Sequence, residues 1–63
     1  MEPVLVPGAW VRLADAPEWG VGQVQSAVGN RITVNFEHAG KRVVNAAVAT
    51  LEAASEPGAD DLG

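Results

Sequence analysis

Polar and apolar residues alternate strictly over residues 31–37, with Ile32, Val34 and Phe36 on one face and Arg31, Thr33, Asn35 and Glu37 on the other. A period of two, enriched in β-branched residues, marks a half-buried strand. Looser runs of similar length cover residues 9–13, 21–28, 41–45 and 49–52. Between them stand Pro7-Gly8, Pro17 with Gly20, Gly29-Asn30 and Gly40, residues that punctuate a chain with turns. Runs this short are strands rather than helices. Asn45 suits the N-cap of a brief helical turn through residues 46–48. Five short strands follow, with Val11, Leu13, Val24, Ile32, Val34, Phe36 and Leu51 facing inward. Parity leaves Val43 and Val44 open as the inward residue of the fourth strand.

The second and third strands pose a register problem. A two-residue loop at Gly29-Asn30 sets Val28 against Arg31 and Val24 against Asn35, mixing apolar and polar residues on one face. A slip of one residue inverts every side chain. Pairing Val28 with Ile32, Ser26 with Val34 and Val24 with Phe36 keeps Val24, Ser26 and Val28 on the core face. That pairing needs a loop with an odd residue count or a bulge beside the turn, and the odd loop is expected.

Size then narrows the architecture. A chain of 63 residues and 6.5 kDa, without cysteine, has neither disulfides nor thiolate zinc to brace a small core. Five strands with little else must hide their edges, and a bent, partly closed barrel does so economically. SH3-like barrels place a short helical turn before the last strand, where Asn45 stands. The expectation is an all-β, five-stranded barrel over residues 7–52. A flexible N-terminus (1–6) and a disordered acidic tail (53–63) flank it.

Charge bears on partners. The net charge is −4, but residues 1–51 hold four basic and four acidic side chains, so the acidic excess is Glu52, Glu56, Asp60 and Asp61. A neutral body with an acidic tail disfavours non-specific phosphate binding, which Lys and Arg drive. The first residues carry neither a basic region nor a signal-length apolar run, and no stretch approaches ~20 apolar residues, so a cytoplasmic protein without membrane contact is expected.

Candidate binding residues are Trp10, Arg12, Trp19, Gln23, Gln25, Asn35, His38, Lys41 and Arg42. Exposed tryptophans are favoured hot spots. If Val11 and Leu13 point inward, Trp10 and Arg12 point out. Gln23, Gln25, Thr33 and Asn35 form an uncharged polar strip, and His38, Lys41 and Arg42 surround the third turn. Gly20 and Gly22 read as a barrel corner. With Phe36 in the core and no tyrosine, an aromatic cage for methyl-lysine is not expected. A lone His38 makes no metal site. Ser26, read as inward, and Ser55, read as tail, offer no activated nucleophile, so neither catalysis nor a cofactor is expected.

Four segments in order carry a family resemblance: Pro7-Gly8-Ala9-Trp10-Val11, Trp19-Gly20-Val21-Gly22-Gln23-Val24, residues 34–41 (Val-Asn-Phe-Glu-His-Ala-Gly-Lys) and residues 46–51 (Ala-Ala-Val-Ala-Thr-Leu). The whole resembles a family of small, mostly alphaproteobacterial proteins of unknown function. More distantly it is similar to the Tudor-like domain at the C-terminal end of UvrD and PcrA helicases. The resemblance implies an SH3/Tudor-like barrel related to the RNA polymerase-binding modules of those helicases and of CarD-type regulators. It implies a non-catalytic protein contact with the transcription machinery or a repair-coupled partner. Two alternatives stand beside it: nucleic-acid binding through an Arg12, Lys41, Arg42 edge with Trp stacking, and weak self-association of a marginal fold.

Overall fold

The computed structural model describes residues 5–55. Strands β1 (Trp10–Leu13), β2 (Val21–Val28), β3 (Arg31–Phe36), β4 (Gly40–Asn45) and β5 (Leu51–Ala53) form one antiparallel sheet in the order β4-β3-β2-β1-β5. Every strand contributes to a single core: Val11 and Leu13, Val24, Ile32, Val34 and Phe36, Val44, and Leu51. No second layer covers these residues among those described. A sheet that buries one face without a second layer must curl around its own side chains, so the architecture is all-β and barrel-like.

Gly22 shows how tightly the curl closes. It lies opposite Phe36, and a Cβ there would overlap Val34 Cγ1 and sit 2.7 Å from Phe36 Cδ1. Only a missing side chain lets β2 approach the β3 residues this closely.

The β2–β3 register corrects the expected odd loop. The loop is the two residues Gly29-Asn30, with Val28 opposite Arg31, and Gly29 has φ +58°. Glycine at the first position of a two-residue hairpin loop supplies the positive φ whose twist suits the strands. The parity conflict is resolved further down the strand. Val24 pairs with Val34 and Ser26 with Thr33, leaving Gln25 as an extra residue in a bulge. Neither Val24 with Asn35 nor Val24 with Phe36 occurs. The bulge reverses the faces of the rest of β2. Ala27 packs against the core, while Ser26 is exposed and Val28 is 74% exposed, against the expected inward placement of both. A bulge also increases local twist, which a curling sheet requires.

Val44 is the inward residue of β4, buried opposite Ile32, and Val43 faces out. After β4 the chain makes one hydrogen-bonded turn rather than a helix. Asn45 Oδ1 accepts from the Ala47 N–H (2.9 Å) and the Asn45 carbonyl from the Ala49 N–H (2.9 Å), so Asn45 anchors this turn, but the expected helical turn through residues 46–48 does not form. The one 3-10 segment among the described residues is Pro17–Trp19, between β1 and β2. β5 reaches Ala53, and the Ala54 N–H donates to the Trp10 carbonyl (2.9 Å), extending order past residue 52. Leu5 packs partly buried against the core; the remaining tail and N-terminal expectations fall on residues 1–4 and 56–63, outside the described residues.

Candidate interaction surface

The candidate residues separate into two groups because alternation sends neighbours to opposite faces. Outward on four adjacent strands, the register aligns Trp10 with Gln23, Gln23 with Asn35, and Asn35 with Lys41. Directly opposed Cβ atoms lie about 4.5–5.5 Å apart, so the four side chains form one cross-strand row. Trp10 and Gln23 are half-buried; Asn35 and Lys41 are exposed. Gln23 Nε2 donates to the Gly8 carbonyl and Gln25 Nε2 to the Gln23 carbonyl, both at a long 3.4 Å. Arg12 is exposed beside this row, opposite Val21 on one side and Glu52 on the other.

At its Lys41 end the row meets a sheet edge. The Ala46 N–H bonds to the Asn30 carbonyl (2.8 Å), which sets the phase of the β3–β4 ladder. Gly40, Arg42 and Val44 therefore turn their backbone groups toward β3, while Lys41, Val43 and Asn45 turn theirs away. The Asn45 carbonyl is taken up by the following turn. Lys41 and Val43 thus present backbone donors and acceptors along an edge that no other strand among the described residues pairs with.

The second group closes one end of the barrel. Trp19 meets Phe36 edge-on, with ring centroids 5.2 Å apart and planes at 64°. The Arg42 guanidinium lies over the Trp19 ring, 5.3 Å from its centroid. Arg42 reaches it because it opposes Val34 on the concave face, where Lys41 does not point. The His38 N–H donates to the Trp19 carbonyl (3.0 Å), and Gly20, at φ +80°, passes close to Glu37 and His38. His38 Nε2 stands 3.9 Å from Glu37 Oε2, an exposed contact of little energetic weight.

The expected basic edge of Arg12, Lys41 and Arg42 does not assemble as one surface. Lys41 and Arg42 face opposite sides, and β2 and β3 separate Arg12 from both. Phe36 lies in the core and supplies no cage wall. Ser26 is on the outer face opposite Thr33, whereas His38 follows β3 at its other end, so the two do not meet. No group of three or more His, Cys, Asp or Glu is close enough to hold a metal among the described residues. No helix among them is long and apolar enough to cross a membrane.

One feature was invisible in the sequence. Val28, Asn30, Arg31, Val43, Val44 and Asn45 line an open groove of about 640 Å³ at the β2–β3 hairpin. Its Val28 wall exists because the Gln25 bulge turns that residue outward, and nothing in the composition around Gln25 announces a bulge.

No curated protein and no solved structure matches the chain. The family described as "Protein of unknown function (DUF3553)" matches residues 5–54, a span that starts before β1 and runs through β5. That span takes in the whole curled sheet, and the chain belongs to the DUF3553 family.

Proposed function

We propose that this protein is a non-catalytic interaction module that docks its outer face on a larger protein assembly. RNA polymerase is the partner indicated by the resemblance to the UvrD/PcrA and CarD-type modules. The observation that carries this reading is the row Trp10–Gln23–Asn35–Lys41. An aromatic anchor beside two uncharged amides suits an interface core, and the exposed Lys41 at the end of the row suits its polar rim. The open backbone groups of Lys41 and Val43 extend the same face to the sheet edge. Trp19 and Arg42 serve this surface indirectly, by bracing the barrel end.

The test is a titration of the isotope-labelled chain with purified core RNA polymerase, followed through its backbone amides. Selective broadening at Trp10, Gln23, Asn35 and Lys41 is the expected result. An unchanged spectrum removes polymerase as partner, and broadening confined to Trp19 and Arg42 removes the outer face as the site. Single-stranded nucleic acid is the second reading, favoured by Trp10 and Lys41 sharing one face. Salt-sensitive binding of single-stranded DNA with the same residues broadened would establish it instead.

A further inference from the structure

The free side of β4 has a definite chemistry. Lys41 and Val43 turn their backbone groups away from β3, and among the described residues no other backbone group bonds to them. Both residues are exposed, Val43 at 64%. An exposed row of unpaired N–H and C=O groups is a template for a further strand. Charge selects among the strands it could take. β3 and β4 hold Arg31, Lys41 and Arg42, three of the four basic residues of the chain, and no carboxylate. None of the three forms an ion pair among the described residues.

A second copy of the chain is a poor occupant. Antiparallel self-pairing centred on Lys41 sets lysine against lysine, and pairing centred on Arg42 sets arginine against arginine. Like charges directly opposed are destabilising. Centred on Val43 or Val44, the pairing calls on the Asn45 carbonyl, which the Val48 and Ala49 N–H groups already take. We propose instead that the β4 edge adds an extended segment of a partner protein, with a carboxylate opposite Lys41 and an aliphatic side chain opposite Val43. Lys41 and Val43 share the outer face, so the two matching residues of the segment are separated by one. The backbone groups of Lys41 and Val43 supply the affinity, and their side chains supply the selection. The lysine that repels a second copy attracts this strand. The inference deepens the docking reading and rests on it for the partner being a protein.

The probe is the capped peptide Glu-Thr-Val-Thr-Glu, whose pattern reads the same in either direction, compared with capped Lys-Thr-Val-Thr-Lys. Amide hydrogen exchange of the full chain is followed as each peptide is added. The glutamate peptide should slow exchange at Lys41 and Val43 and leave Arg42 and Val44, already bonded to β3, unchanged. It should bind about two- to fivefold more tightly than the lysine peptide, and Lys41→Glu should reverse that order. No polymerase is present, and Trp10→Ala should keep the protection intact, so failure of the edge and failure of the polymerase reading are separate results. Unchanged exchange at Lys41 and Val43, or equal binding of the two peptides, would overturn the proposal. Protection that grows with protein concentration in the absence of peptide would overturn it too, by giving the edge to a second copy.

Discussion

The two tryptophans of this chain sit in opposite surroundings. Trp19 is built into the barrel: its ring stands edge-on to Phe36, Arg42 lies over it, and its carbonyl takes the His38 N–H. Trp10 has none of these partners and stands on the outer face beside Gln23. In a chain with three aromatic residues, both tryptophans are half-buried, but Trp19 packs against the core while Trp10 stands in a polar row. The difference lies in strand parity. Trp10 alternates with Val11 on a regular strand, whereas Trp19 ends a 3-10 segment that swings it back across the barrel end. A large aromatic that the fold does not need for its core is the natural candidate for recognition.

That contrast can be broken most severely from below. Phe36→Ala removes the floor on which Trp19 rests and should cost about 3–5 kcal/mol, enough to abolish a cooperative urea transition in so small a domain. Gly22→Ala forces a methyl group into Val34 and Phe36 and should cost about 1–3 kcal/mol, read as a lower urea midpoint at unchanged slope. Sharper is a double-mutant cycle on Trp19→Ala and Arg42→Ala. The cation–π contact predicts a coupling of about 0.5–1 kcal/mol, and strict additivity would show that Arg42 only lies near the ring. A similarly small effect is expected from deleting Gln25. The chain then keeps Val24 opposite Val34 and Ser26 opposite Thr33 on a regular ladder, at a cost on the order of 1 kcal/mol. Cross-strand nuclear Overhauser contacts between Val28 and Arg31 should survive the deletion, and their loss would refute the assigned register.

Much of this fold was legible in the sequence, for identifiable reasons. β3 alternates without exception, so its inward residues follow from parity alone, and the inward Val11 and Leu13 of β1 fix Trp10 outside. The register of β2 was not legible. Parity alone argues against the two-residue loop because it mixes faces, yet a bulge at Gln25 separates the faces again while keeping the loop. A polar residue between Val24 and Ser26 fits an exposed strand position and a bulge equally well. The same ambiguity hid the Val28 wall of the groove. Arg42 was misplaced for a related reason: once Val44 faces the core, Arg42 must share that face, and Lys41 must leave it. The polar strip of Gln23 and Asn35 was readable, but its alignment with Trp10 and Lys41 depends on a register that only pairing reveals.

Affinity for core RNA polymerase, measured alongside thermal stability for Trp10→Ala and Trp19→Ala, tests the division most directly. Trp10→Ala should melt within a few degrees of wild type and bind at least about tenfold more weakly, the loss expected of an aromatic anchor. Trp19→Ala should melt much earlier and, below its transition, bind like wild type. Full affinity in Trp10→Ala, or a stable Trp19→Ala protein that no longer binds, would contradict the account.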